Sequence, residues 1–145
     1  MPKPGELDLL LMQVGHLHYK HAHCLFSQQG VTEGQPKFIA YLMNHEGSSQ
    51  RELARRFDLE PATVTAALRR MEKAGIIERR ADERDLRVSR IFLTDEGRRL
   101  FAVQESVRLT LEGIAFEGFS SAERAEIAGY LMRLRENLRR ATQEE

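Results

Sequence analysis

Residues 48–80, SSQRELARRFDLEPATVTAALRRMEKAGIIERR, limit what this chain can fold into more than any other stretch. Ser49 followed three residues on by Glu52 is the reciprocal capping box, in which each side chain satisfies a backbone N–H that the first helical turn leaves open. It predicts a helix over residues 50–57, with Leu53, Ala54 and Phe57 on one face. A second helix opens at Pro61, whose missing N–H costs nothing at the first helical position. It closes at Gly75, a residue that enters the left-handed conformation without strain. Only Asp58, Leu59 and Glu60 separate the two, so they pack at a steep angle, as in a helix-turn-helix.

The rest of the chain sets bounds on that element. Its 145 residues suffice for one domain with a real core and are few for two independent ones. One cysteine excludes an internal disulfide framework and fits a reducing compartment. No basic segment followed by an apolar core and a cleavage site opens the chain, and nowhere do about 18 apolar residues run together. The expectation is a soluble cytoplasmic protein with no membrane partner. Net charge is zero, which at first sight disfavours a polyanionic partner, because affinity for phosphate comes from Lys and Arg. The distribution points the other way: residues 48–99 hold 13 Lys/Arg against 10 Asp/Glu, and the remainder 9 against 12. Arginine supplies 18 of the 22 basic residues, a bias that GC-rich codon usage explains as readily as bidentate phosphate contacts do.

In chain order, the lead MPKPGE bears Pro and Gly and either frays or reaches a partner. Residues 7–28 predict a long helix, with Leu7, Leu10, Leu11, Val14, Leu17, His18, His21, Cys24 and Leu25 at helical spacing and Gly30 as its end. The next helix starts near Thr32, with Gln35 in the capping-box position and Phe38, Ile39, Leu42 and Met43 inward; Pro36 removes one early hydrogen bond. Beyond Gly75 the period changes. Residues 76–80 and 88–93 are short β-type runs around the charged segment 81–87, an antiparallel hairpin with a charged tip. A helix-turn-helix followed by such a hairpin is a winged helix. Thr94 caps another long helix, to about residue 116, striped by Leu100, Val103, Val107, Leu111 and Ile114. Ser120 and Glu123 form one more capping box before a last helix to about Arg140, bearing Ile127, Leu131, Leu134 and Leu138.

The stripes on the first and last helices exceed what a small central domain covers, which points to packing between two chains. The expected fold is mainly α with a small β-hairpin wing (α+β): a winged helix-turn-helix flanked by long N- and C-terminal dimerisation helices. The expected parts are residues 1–30, an N-terminal dimerisation helix; 31–94, the DNA-binding winged helix-turn-helix; and 95–145, the C-terminal dimerisation helices.

This layout resembles the MarR family of bacterial winged-helix regulators over nearly the whole chain. QRELARRFDLEPATVTAALRRMEKAGIIERR is similar to the family's helix-turn-helix, and DERDLR followed by FLTDEG resembles its wing signature, matched at Asp82, Arg84, Asp85 and Arg87. Glu83 stands where the family usually has Pro, and Leu86 and Ala66 where it often has Arg; the last implies an altered base preference. The resemblance implies an obligate homodimer that binds a pseudo-palindromic operator in double-stranded DNA, usually as a repressor. It implies release when a small molecule, oxidant or metal shifts the spacing of the two heads, and no cofactor.

The residues support that mechanism. On the second helix of the motif, Val64, Ala67, Leu68 and Met71 face the core, leaving Thr63, Thr65, Ala66, Arg69, Arg70 and Lys73 toward solvent or DNA. A helix fits the major groove, and its N-terminal side chains reach base edges. Thr63 and Thr65 suit bases or a thymine methyl, Arg69 a guanine edge and Arg70 a phosphate. Arg84 and Arg87 lie near the wing tip, suited to a narrow A·T-rich minor groove. Asp85 and Asp82 brace an arginine rather than face phosphate, which repels carboxylates. Ser49 and Gln50 start a helix whose open N–H groups suit a phosphate; capping alone also explains Ser49.

The effector is open at this level. His18 and His21 fall within the stripe of the first helix and Cys24 at its edge, whereas His16 and His23 lie opposite. His18, His21 and Cys24 are incomplete as a zinc site, and the family's zinc sensors use further ligands on later helices, where this chain has no His after His45. Cys24 as an oxidant sensor matches poorly, because peroxide-sensing relatives carry their cysteine near the start of that helix. His18 or His21 with Phe38 and Tyr41 is a candidate pocket lining for a small aromatic or anionic ligand. Equally, the histidines are interface residues and Cys24 a small buried hydrophobe. No Ser-His-Asp order, phosphate loop or HExxH motif points to an enzyme.

Overall fold

The computed structural model describes residues 1–29 and 36–143, and the chain divides into two compact units, residues 1–109 and 110–145. In the first unit the elements run α1 (Glu6–Gln28), α2 (Pro36–Asn44), β1 (Ser48–Ser49), α3 (Gln50–Arg56), α4 (Pro61–Lys73), β2 (Ile77–Ala81), β3 (Ser89–Leu93) and most of α5 (Asp95–Ala115). The second holds the end of α5 and α6 (Ser121–Gln143). The expected helix end at Gly30 and the capping pair Thr32 and Gln35 lie outside the described residues.

Helix α1 spans the expected residues, and Glu6 and Asp8 in its first turn complement the positive end of the helix dipole. None of its residues is buried; Leu7, Leu10, Leu11, Val14 and Leu17 are 41–66% exposed. Cys24 is exposed too, so within the chain it is not the buried hydrophobe the sequence allowed. Among the described residues α2 opens at Pro36, where the missing N–H is harmless.

The core of the first unit joins one face of each short helix to the hairpin. Phe38, Ile39 and Leu42 of α2 meet Leu53 of α3, Val64, Ala67, Leu68 and Met71 of α4, Ile77, Ile91 and Leu93 of the sheet and Leu100 of α5. Burying each large apolar side chain contributes roughly 1.5–3 kcal/mol, which is what holds a helix as short as α3. Its start is the expected capping box: Ser49 N donates to Glu52 Oε2 at 2.6 Å and Glu52 N to Ser49 Oγ at 3.2 Å. Helix α3 ends at Arg56 with Phe57 as C-cap. Asp58 takes the left-handed conformation, φ 52°, which aspartate tolerates better than most residues. Helix α4 starts at Pro61 as expected, and Gly75 after its end has φ 74°.

Strands β2 and β3 pair antiparallel from Ile77 opposite Leu93 to Ala81 opposite Ser89. Two-residue β1, absent from the sequence expectation, pairs on the other side of β3, Ser48 with Ile91 and Ser49 with Arg90, giving the order β1-β3-β2. Ser49 thus ends a strand and caps a helix. The base of the hairpin is tied to α5: Thr94 N donates to Ile76 O at 3.0 Å, and Gly97 N to Thr94 Oγ1 at 3.1 Å. Gly97 is packed so closely here that a Cβ would lie 2.3 Å from the Ile76 carbonyl oxygen.

The part of the α5 stripe in the first unit departs from expectation at Gln104. Gln104 is buried, donating Nε2 to the Pro36 carbonyl at 2.6 Å, while the neighbouring Val103 is half-buried. A buried amide is tolerated where it satisfies an open carbonyl.

In the second unit, Gly118 at φ 81° lets the chain leave α5. The expected Ser120–Glu123 box then starts α6, with Ser120 N donating to Glu123 Oε2 at 2.7 Å and Glu123 N to Ser120 Oγ at 3.2 Å. These bonds hold the Glu123 carboxyl below its usual range. Leu111 is buried, but Ile114, Leu131, Leu134 and Leu138 are 41–60% exposed.

Candidate nucleic-acid interface

Helix α4 presents two faces because its apolar residues recur at helical spacing. Val64, Ala67, Leu68 and Met71 are buried as expected. Thr63, Ala66, Arg69, Arg70 and Lys73 are exposed and Thr65 is half-buried. Thr65 differs from the others because α3 packs beside it: its hydroxyl accepts from Gln50 Nε2 and donates to the Pro61 carbonyl at 2.9 Å. The side-chain amide of Gln50 is therefore engaged, and its Oε1 also accepts from Arg79 Nη1 at 3.5 Å. Ser49 caps α3 beside it, half-buried.

Arg69, Arg70, Lys73 and Arg84 form no ion pair with another described residue, so their charge is uncompensated at close range. Lys73 and Arg70 stand in the last turn of α4, where cations complement the helix dipole.

The wing tip is organised by two carboxylates, each doing what a short acidic side chain does in a turn. Asp82 Oδ1 accepts from the backbone N–H of Arg84 at 2.8 Å and of Asp85 at 2.9 Å, while Oδ2 accepts from Arg90 Nε at 2.8 Å. The Arg90 bond first, then the two amides, hold the Asp82 carboxyl down from 3.8 to about 2. Asp85 accepts from Arg87 Nε at 3.0 Å and Nη2 at 3.2 Å, and from the Arg87 backbone at 3.1 Å. Its carboxyl is lowered by the guanidinium first and the backbone bond second.

Arg87 remains 91% exposed despite this pairing. An arginine held at its base and open at its edge is aimed without being buried. Arg84 projects from the same turn, exposed, and Leu86 between them is 81% exposed.

Arg90, which the sequence did not single out, is the arginine that ties the wing down. Besides Asp82 it reaches the Gly47 carbonyl at 3.4 Å and lies 3.7 Å from Glu52 Oε2. It thereby links the wing to the start of α3, and the Asp82 contact raises its own pKa. The arginine that Asp82 pairs with is Arg90. The signal that finds it is hairpin register, since Arg90 faces Arg80 across the strands and lies one step from the end of the ladder beside Asp82.

The effector candidates do not converge in the same way. His18 and His21 are exposed on α1. Phe38 is buried against Phe57, ring centroids 5.3 Å apart, and half-buried Tyr41 stacks on His45 at 4.1 Å. Tyr41 also meets Phe57 edge-on at 5.8 Å, joining the two pairs, but among the described residues no hydrogen bond or ring contact joins them to His18 or His21. Nor, among those residues, does any group of three or more His, Cys, Asp or Glu stand placed to hold a metal ion. Cys24 accepts a long contact from Gln28 Nε2, 3.6 Å. No described helix is long and apolar enough to cross a membrane.

A model of the MarR family matches residues 31–89, the segment that carries α2 to the start of β3. The regulator YsmB of Bacillus subtilis is 30% identical over 94% of this chain and 93% of its own length. The transcriptional regulator AdcR of Streptococcus pneumoniae is 33% identical over 77% of each chain. Among solved structures, the crystal structure of MarR covers 100% of this chain and 96% of its own at 26% identity and a TM-score of 0.75. The S. aureus MepR–DNA complex shares the fold, with a TM-score of 0.81 over 90% of this chain and 96% of its own at 24% identity. These relatives are transcriptional regulators, not enzymes. With the six helices and three-stranded wing sheet of the described residues accounted for, the chain belongs to the MarR family of DNA-binding transcriptional regulators.

Proposed function

We propose that this regulator acts in the cytoplasm as a homodimeric repressor that sits on a pseudo-palindromic operator. Helix α4 enters the major groove, with Thr63, Thr65, Ala66 and Arg69 toward base edges and Arg70 and Lys73 toward phosphates. The wing lies along the adjacent minor groove, with Arg84 and Arg87 reaching in, and Ser49 and Gln50 offer the N-terminus of α3 to the backbone. The observation that carries the reading is Arg87, clamped by Asp85 yet 91% exposed, together with an outward row on α4 whose cations form no ion pair with another described residue. Structures of other family folds bound to DNA, such as S. aureus MepR, lend it support.

The dimer draws its support from the apolar faces. Leu7, Leu10, Leu11, Val14 and Leu17 on residues 1–30, and Ile114, Leu131, Leu134 and Leu138 on residues 95–145, are all at least 41% exposed in the single chain. Exposed apolar stripes of this kind mark interfaces. Residues 31–94 then form the DNA-reading head. Release follows when a small aromatic or anionic ligand binds near His18, His21 and Tyr41, with Phe38 supporting Tyr41's neighbourhood from the core.

A gel shift against the region upstream of the chain's own gene, at moderate salt, tests the reading, with sedimentation measuring the oligomer. A specific shift by a dimer is the expected result. A monomer, or equal binding to unrelated DNA, defeats it. Benzoate, as a simple aromatic anion, is expected to weaken the shift; no change over the millimolar range removes that ligand class.

A further inference from the structure

Thr65 stands in the reading row of α4, yet its hydroxyl is already engaged inside the fold. It donates to the Pro61 carbonyl at 2.9 Å and accepts from Gln50 Nε2. Gln50 Oε1 in turn accepts from Arg79 Nη1 at 3.5 Å, and Arg79 Nε donates to Glu72 Oε2 at 2.9 Å. A hydroxyl carries one proton, so Thr65 has none left for a base acceptor. The β-branched side chain is stiff at its first torsion, and the bond to the carbonyl four residues back fixes which rotamer it takes. Three side chains, Gln50 of α3 backed by Arg79 of β2 and Glu72 of α4, therefore hold the oxygen against the protein.

Thr65 can still offer a base its methyl group and the second lone pair of Oγ1, and thymine, which shows an acceptor and a methyl in the major groove, can use only the methyl. In the major groove the complement of an isolated methyl is the C5-methyl of thymine. Building on the DNA-reading role proposed above, we infer that Thr65 reads one thymine per half-site through its methyl alone. Gln50 and Arg79 are positioning residues that hold the hydroxyl away from the DNA. Arg79 is thereby assigned to specificity without touching a base or phosphate.

The test uses duplexes selected by the full-length protein from a randomised library. Each selected thymine is replaced in turn by uracil, which removes the C5-methyl and leaves pairing unchanged. At one thymine per half-site the substitution is expected to weaken binding about fourfold, corresponding to the ~0.8 kcal/mol of one buried carbon. Thr65→Val, which keeps a methyl and loses the hydroxyl, retains that ratio; Thr65→Ser, which does the reverse, binds both duplexes equally there. Arg79→Met narrows the ratio at that thymine and leaves it unchanged at other selected thymines.

Three results overturn the inference: no thymine is sensitive to uracil, Thr65→Val loses the discrimination, or Thr65→Ser keeps it. A fall in the ratio at every thymine in Arg79→Met overturns the positioning role. Failure of the selection to enrich any sequence refutes DNA reading itself, and is distinct from all of these.

Discussion

Gly97→Ala places a methyl group where the structure has no room for one, and the expected sign of its effect is opposite to that of helix propensity. Gly97 lies in the first turn of α5, where alanine is favoured over glycine by about 1 kcal/mol. The added Cβ, however, falls 2.3 Å from Ile76 O, 3.0 Å from Leu93 Cδ2 and 3.3 Å from Leu93 Cβ. The closest of these is a backbone atom at the start of the wing and cannot rotate aside. Restoring van der Waals contact requires α5 and the hairpin base to separate by about 1 Å, and backbone shifts of that kind cost about 1–3 kcal/mol. The 3.0 Å bond from Thr94 N to Ile76 O lies in the same gap, and losing it adds about 1 kcal/mol, which offsets the propensity gain. The net expectation is a loss of about 1–3 kcal/mol. Urea unfolding at one fixed protein concentration measures it as a midpoint lowered by roughly 0.5–1.5 M at unchanged slope. A midpoint equal to or above that of the parent protein would mean that the close approach is not maintained in solution and would refute the reasoning.

Arg87→Ala is expected to weaken operator binding and reduce its salt slope by about one per protomer, with the sedimentation profile unchanged; an unaltered affinity removes Arg87 from the interface. Arg69→Ala is expected to alter base preference within a half-site in a library selection, and an identical preference profile argues against base contact. Because the Asp82 carboxyl sits at about 2 rather than 3.8, its bonds contribute stability that is complete above pH 4 and is lost as pH falls toward 2. Acid unfolding of Asp82→Asn should lack that part of the pH dependence, and superimposable curves would rule it out. Ser49→Ala removes the acceptor for Glu52 N and should cost ~1 kcal/mol, read as faster amide exchange in the first turn of α3; unchanged exchange there contradicts the capping role.

Local signals carried most of the fold into view. The Ser49–Glu52 and Ser120–Glu123 boxes, Pro61 and Gly75 are each decided by residues within one helical turn, and each element starts or stops where those residues place it. Elements decided by distant partners were not legible in the same way. Strand β1 has two residues and exists only because Ile91 and Arg90 pair with it from more than 40 positions away. The Arg90 brace needs the hairpin register, and the burial of Gln104 needs the Pro36 carbonyl 68 positions off. In the candidate interface, the exposed row on α4 follows from helical spacing, whereas the engagement of Thr65 depends on Gln50 approaching from another helix. The apolar stripes of α1 and α6 were visible in the sequence, but periodicity says only that a face is apolar, not what covers it.

Ser49 is both the last paired residue of β1 and the cap of α3, and this fixes the length of chain at that junction. One residue inserted between Gly47 and Gln50 would either break the pairing with Arg90 or rotate α3 by about 100° relative to the sheet, turning Leu53 out of the core. The turn at residues 83–87 lies beyond the last paired residues, Ala81 and Ser89, so extra residues there leave the ladder in register. A reporter peptide or an altered minor-groove reader can therefore be grafted into the wing tip, while the strand-to-helix junction admits substitutions only at constant length.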